Sequence, residues 1–162
     1  MVNNWQCNGL IPAKKVSRRD PGVFDSGVRT EDGDTLGHTA IRRGVREHVE
    51  TLAAQERCDC WNVPDRWGET PIMLAARKDA IKIVEILLRC PRVDLNCRNM
   101  IGETPIMWAM SEGKTEIVEI LLRCPRVDLS CRDREGWSLL FRLIQKNRLG
   151  EKISKSWVDK IL

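Results

Sequence analysis

The sequence predicts an all-α solenoid, a row of short helix–turn–helix units stacked side by side. Three observations point there. Residues 68–101 and 102–135 align without a gap, and 22 of the 34 positions are identical. Self-similarity at such a period marks a repeat architecture. Within each copy, apolar residues recur at helical spacing, and proline and glycine punctuate the same places. A stack of this kind has no buried catalytic pocket by default, so its function is expected on its exposed surface.

Taken in order, residues 1–32 are rich in Asn, Gly, Ser, Arg and Asp and contain Pro12 and Pro21. They are expected to form a flexible N-terminal segment. Lys14-Lys15 and Arg18-Arg19 resemble a weak nuclear-import cluster, of a kind that arises often by chance in basic tails. The array then runs over 33–162, in units 33–67, 68–101, 102–135 and a shortened C-terminal cap, 136–162.

In the first unit a slide of 35 residues sets Gly33-Asp34-Thr35 on Gly68-Glu69-Thr70, Ala40 on Ala75 and Leu52 on Leu87. Leu36-Gly37 stands where Pro-Ile stands later, so the local signal does not fix this helix start. In the next two units Thr70-Pro71 and Thr104-Pro105 open a helix, with threonine as N-cap and proline in the first turn. That helix fades at Lys78-Asp79 in one copy and at Gly113 in the other. A second helix carries Ile83, Ile86, Leu87 and Cys90 on one stripe, with Lys82, Glu85 and Arg89 opposite. Glu85 and Arg89 stand four apart in the favourable order. Pro91 and Pro125 end it, because proline lacks the N–H of a further turn. Helices this short are marginal alone, and at least about three stacked units are usually needed. The cap supplies Leu140, Phe141, Leu143 and Ile144 for a first helix and Ile153, Trp157 and Ile161 for a second.

Composition narrows the function classes. The longest apolar runs, such as Ile86-Leu87-Leu88, are far too short to span a bilayer. The N-terminus shows no apolar stretch of signal-peptide length, so an intracellular, by default cytoplasmic, location is expected, with the nucleus as an alternative. The net charge is +4, and residues 136–162, with six basic and two acidic side chains, hold all of it. That end is expected to be a solvated helix face, or else a surface for an acidic partner. Seven cysteines without a secretory signal argue against a disulfide framework. Only Cys58-x-Cys60 approaches zinc spacing, and His38 and His48 lie outside it, so neither a metal nor a cofactor is expected.

Gly-x-Thr-Pro opening a helix, Leu-Ala-Ala within it, and Ile-Val-Glu-Ile-Leu-Leu in the second helix together resemble the ankyrin repeat. The resemblance covers 33–162 and is strongest over 68–135. His38 and Gly44 fall where the family places a histidine and a glycine, whereas Met73 and Met107 replace that histidine in the central copies. The turns Arg89–Asn96 and Arg123–Ser130 run one residue longer than the family's. The resemblance implies an ankyrin-repeat α-solenoid and non-enzymatic protein binding through projecting loop tips and the concave face of the first helices. It does not identify the partner.

The loop tips read Arg66-Trp67-Gly68-Glu69, Met100-Ile101-Gly102-Glu103 and Arg134-Glu135-Gly136-Trp137. Family tips are commonly polar. Here Trp67, Met100, Ile101 and Trp137 either form an outward apolar stripe flanked by Arg66 and Arg134, or fold down and close the array. Exposed apolar patches mark interaction sites, and Trp and Arg dominate binding hot spots. On the concave side Arg77, Lys78 and Ile81 in one copy become Ser111, Glu112 and Thr115 in the next. That divergence fits tuning to a partner, and equally freedom from packing. Trp108 and Trp61 are expected to be packing residues and His38 a structural one.

A protein-binding adaptor is therefore the expected function. A basic nucleic-acid-associated module using Arg142–Lys160 and Lys14–Arg19 is the alternative, although no recognition motif appears. A further reading is the interaction part of a longer signalling protein. No phosphate loop, His-Glu pair or nucleophile motif points to an enzyme.

Overall fold

Among the described residues eight helices, paired in sequence order, form two layers. The computed structural model describes residue 30 and residues 32–54, 60–148 and 155–161. The first layer holds α1 (Leu36–Arg43), α3 (Pro71–Arg77), α5 (Pro105–Ser111) and α7 (Leu139–Arg148). The second holds α2 (Arg46–Ala54), α4 (Ile81–Arg89), α6 (Thr115–Arg123) and α8 (Lys155–Ile161). Each helix packs on its partner and on the equivalent helices of the adjoining units. Among the described residues there is no strand, only an isolated bridge between Arg132 and Ser138.

The helix starts follow their caps. Thr70 and Thr104 are extended N-caps before Pro71 and Pro105. The first unit begins at the equivalent place without proline, because His38 does the fixing. The Thr35 N–H donates to His38 Nδ1 at 3.2 Å, so Nε2 carries the ring hydrogen and donates to the Glu69 carbonyl at 2.8 Å. Thr35 Oγ1 donates to the Cys60 carbonyl at 2.8 Å. His38 is thus a structural tie between the first two units. Burial, only partly offset by the Glu69 carbonyl, lowers its pKa.

The first helices end in left-handed residues, Gly44 at φ 68° and Gly113 at φ 69°, but the second unit puts Asp79 there at φ 57°. In α4 and α6 the buried stripe is Ile83, Val84 and Leu87, and its copy Ile117, Val118 and Leu121. Ile86, expected on that stripe, is only half-buried. The expected Glu85–Arg89 pair gives way to Lys82–Glu85 at 3.1 Å, while its copy Glu119–Arg123 forms at 3.7 Å.

The extra residue in each inter-unit turn sits in a ladder of side-chain amides. Asn62 donates to the Arg92 carbonyl at 2.8 Å and accepts from the Asp94 N–H at 2.8 Å. Asn96 repeats this with the Arg126 carbonyl and the Asp128 N–H, at 3.0 and 2.8 Å. Arg126 then donates to the carbonyls of Leu88, Cys90, Pro91 and Val93 at the end of α4. Carbonyls at a helix end lack internal partners, and the guanidinium supplies them.

Trp61 is buried under Gly37, where a Cβ would lie 2.9 Å from the indole. Trp108 is only half-buried, because the first-layer face it shares with Arg142 borders solvent. Cys90, Cys97, Cys124 and Cys131 are free thiols, as the repeat register implies. Cys60, by contrast, is disulfide-bonded, which the expectation of no disulfide framework did not include. In the last unit Leu139, Leu143 and Trp157 are buried, whereas Phe141 and Ile144 are exposed. Residues 1–29, with Lys14, Lys15, Arg18 and Arg19, lie outside the described residues, as do Cys58 and Ile153. Among the described residues no helix is long and apolar enough to cross a membrane, and no cluster of metal-ligating side chains occurs.

Candidate functional site

Among the described residues four turns, here called fingers, project at the start of the array and between its units: one closed by Thr30 and Asp34, then Asp65–Glu69, Asn99–Glu103 and Asp133–Trp137. In each, the first N–H donates to the fifth carbonyl at 2.8–3.1 Å, and the glycine N–H donates to the first carbonyl at 2.9–3.1 Å. In the last three fingers the opening acid or amide pins the turn, as short polar side chains do, and in the first Thr30 Oγ1 accepts from the Asp34 N–H at 3.1 Å. Asp65 Oδ1 accepts from the N–H groups of Trp67 and Glu69 at 2.9 and 3.0 Å. Asn99 Oδ1 does so for Ile101 and Glu103, and Asp133 Oδ1 for Glu135 and Trp137.

Glycine at the fourth place serves two ends. It takes φ of 76° and 82° at Gly68 and Gly102, which costs other residues strain. It also lets the next finger lie flush: a Cβ on Gly68 would stand 2.9 Å from the Met100 backbone N, and one on Gly102 2.7 Å from that of Arg134. The fingers therefore form a close-packed row with a shared outer edge.

Along that edge the sequence-predicted residues separate. Trp67 and Ile101 occupy the third place of their fingers and are 43% and 60% exposed. Met100 occupies the second, with Arg66 and Arg134, and is 60% exposed. Trp137, 39% exposed, is at the fifth place, equivalent to Asp34, Glu69 and Glu103. It is therefore out of register with Trp67 and Ile101. Its ring turns to Phe141, with centroids 4.3 Å apart in an edge-to-face arrangement. Of the two arrangements the sequence left open, a stripe of four or side chains folded down, the structure shows neither whole: three are outward and Trp137 forms a separate aromatic pair. Trp67 and Ile101 precede their glycine by one residue whereas Trp137 follows its own, and that is the shift.

Arginines organise the charge around the fingers. The Arg66 guanidinium lies 4.0 Å from the Trp67 ring centroid and 2.7 Å from Asp32. Arg42 approaches the same ring at 5.5 Å while it holds Asp34 at 2.6 Å and Asp65 at 3.5 Å. Cations over an indole face are attracted to its quadrupole, so both guanidiniums brace Trp67. Arg77 pairs with Glu69 at 3.1 Å. Burial raises the Glu69 pKa despite that arginine.

At the third unit Ser111 replaces this arginine, and Arg142 reaches back from α7 instead. It binds Glu103 at 2.6 Å and Asp133 at 2.7 Å, and donates to Ser111 Oγ. Burial opposes charge on Asp133, but the Trp137 and Glu135 N–H groups and the Arg142 guanidinium outweigh it and hold the pKa below its ordinary value. Sequence reasoning missed this triad, since Arg142 stands where Leu74 and Trp108 stand in other units and nothing local pairs it with Glu103.

Arg77, Lys78, Ser111 and Glu112 are all exposed at the ends of α3 and α5, on the side from which the fingers rise. Ile81 and Thr115, expected with them, instead begin the second helices α4 and α6 and so leave the first layer. The side chains of Lys146, Arg148, Lys152, Lys155 and Lys160 lie outside the described residues, so the proposed basic end face is represented only by Arg142, which is internally paired.

A family model described as ankyrin repeats in three copies matches residues 8–99, and a single ankyrin-repeat model matches 101–134. The first match begins within the segment expected to precede the array. No curated protein matches the chain.

Proposed function

The chain belongs to the ankyrin-repeat family, and from that premise we propose that it is a non-enzymatic adaptor that grips a partner protein between its finger edge and the exposed ends of α3 and α5. Ankyrin repeats are in general protein–protein interaction modules. The observation that carries the specific reading is the outward group Trp67, Met100 and Ile101 on two adjacent fingers, each at least 43% exposed. Although Met100 also lies against Gly68 and Trp67 against two arginines, much of each side chain stays open to solvent. Rigid aromatic and apolar anchors beside arginine are the usual hot spots of protein interfaces. Arg66 lies on Trp67 and Arg134 abuts Gly102, while Arg77, Lys78, Ser111 and Glu112 are exposed at the ends of α3 and α5.

A nucleic-acid function draws less support. Among the described residues Arg42, Arg66, Arg77 and Arg142 each already face a carboxylate, so they are not poised for phosphates.

The test is capture of proteins from cell lysate by the full chain and by two folded variants, Trp67→Ala/Ile101→Ala and Arg77→Ala/Lys78→Ala, with circular dichroism as the folding check. Proteins lost with the first variant and weakened with the second support the reading. A protein set indifferent to both variants rejects it.

A further inference from the structure

The outer edge of the fingers carries two rows of side chains that differ in charge. Second-place residues start against the preceding finger. A Cβ on Gly33, Gly68 or Gly102 would lie 3.1, 2.9 and 2.7 Å from the backbone N of Arg66, Met100 and Arg134. These three make one row, and the second place of the first finger, Glu31, lies outside the described residues. Third-place residues make the other row, which reads Asp32, Trp67, Ile101 and Glu135. All seven described residues are exposed. Apolar side chains thus sit in the middle of the edge, with arginines along one side of them and carboxylates at both ends of the other. Asp32 is held by Arg66 at 2.7 Å. Arg134 and Glu135, on the fourth finger, face no counter-charge among the described residues.

That pattern selects what covers the apolar centre. A uniformly acidic segment laid along the edge meets Glu135 as well as Arg134, and a uniformly basic one meets Arg134 as well as Glu135. A surface with the same two rows, turned over, matches both charges. A two-fold axis along the line of fingers supplies such a surface, because it sets each second place opposite the third place of the same finger in a second copy. Arg134 of each copy then faces Glu135 of the other, Met100 of each lies on Ile101 of the other, and the two Arg66–Trp67 pairs meet. We propose that the chain self-associates through this edge, two copies meeting face to face over Trp67, Met100 and Ile101, with reciprocal Arg134–Glu135 ion pairs fixing the register. Contacts of this self-complementary kind build the commonest homo-oligomers. Ion pairs at the margin of such a contact set its alignment more than its strength. The inference rests on reading the edge as a binding surface, and adds that in the free chain a second copy occupies it until another protein displaces it.

Sedimentation of the purified full chain tests this without any other protein, over a concentration series up to about 0.5 mM because small contacts hold weakly. The weight-average mass is expected to rise towards that of a dimer as the chain is concentrated, and added salt to lower it. Arg134→Glu and Glu135→Arg are each expected to weaken the dimer about tenfold or more, since each sets like charges opposite one another. The double swap Arg134→Glu/Glu135→Arg restores opposite charges and is expected to restore the dimer. Circular dichroism checks each fold. Should Arg134→Glu disturb the finger against which it lies, Glu135→Arg and Ile101→Ser, both at exposed side chains, give the comparison without it. A chain that stays monomeric throughout, a dimer indifferent to these variants, or a folded double swap that associates no better than the single ones overturns the proposal. The adaptor reading fails separately. A monomeric chain whose lysate proteins are still lost with Trp67→Ala/Ile101→Ala overturns self-association alone, whereas a dimer rescued by the double swap supports it whatever the lysate yields.

Discussion

Replacing Arg142 with leucine tests how the last unit is joined to the array. The guanidinium is the only described cation that reaches both Glu103 and Asp133, at 2.6 and 2.7 Å, and both carboxylates are buried. Arg142→Leu keeps an apolar stem of similar length but strands two buried carboxylates side by side. Breaking a buried ion pair from one side costs about 3–5 kcal/mol. Because Arg142 keeps partial access to water, about 3 kcal/mol is expected. For a chain of this size that corresponds to a Tm lower by roughly 6–12 °C. The loss should appear in thermal circular dichroism as an early transition, since repeat arrays unfold unit by unit when one interface weakens. Neutralising the stranded acids should restore much of it. Arg142→Leu/Glu103→Gln/Asp133→Asn is expected to recover at least half the lost Tm, and Asn99 shows that an amide pins this finger as well as an acid does. The lowered Asp133 pKa means that its contribution is present above about pH 3.8 and is lost as pH falls from there towards the folded value. A Tm within about 1 °C of the native chain for Arg142→Leu would refute the reasoning.

Three further outcomes are expected. The folded His38 ring binds protons less readily than the unfolded chain, so stability is full above about pH 6.5 and declines as pH falls towards the folded value. His38→Met, which copies Met73 and Met107, should flatten the dependence of Tm on pH between about 5 and 7.5, and an unchanged slope would show that other groups dominate. Asp79→Gly should raise stability by about 0.5–1 kcal/mol in chemical denaturation, because it removes a left-handed aspartate and loses only an exposed ion pair to Lys114. A fall in stability would mean that the pair outweighs the backbone strain. Gly102→Ala and Gly136→Ala share φ 82°, but only the first drives a Cβ into the neighbouring finger. The first should therefore cost about 2 kcal/mol or more and the second about 1, and equal losses would argue against close-packed fingers.

The repeat register made α3 to α6 readable in advance, because α3 and α5 open on threonine and proline while α4 and α6 carry an apolar stripe and a proline stop. The same register placed ten surface residues that are all exposed. It failed where a side chain acts on something distant in sequence. His38 fixes the start of α1 through Glu69, 31 residues on, and so compensates for the missing proline. Asn62 and Asn96 spend the extra turn residue on neighbours 30 to 32 residues away. Trp137 looked like a tip residue because it lies near a glycine, yet the hydrogen bonds of the turn place it at the foot, against Phe141. Ile81 and Thr115 were misplaced because a two-residue turn precedes them, and periodicity alone locates such boundaries poorly.

The central claim is that Trp67, Met100 and Ile101 meet the partner. Oxidative footprinting of the full chain, free and bound to a captured partner, tests it most directly, since indole and thioether groups at exposed sites are readily modified. Strong protection of Trp67 and Met100 on binding, with buried Trp61 and Trp157 unchanged, is the predicted result. Unchanged oxidation of Trp67 and Met100 in a saturated complex would contradict the account and move the interface elsewhere on the array.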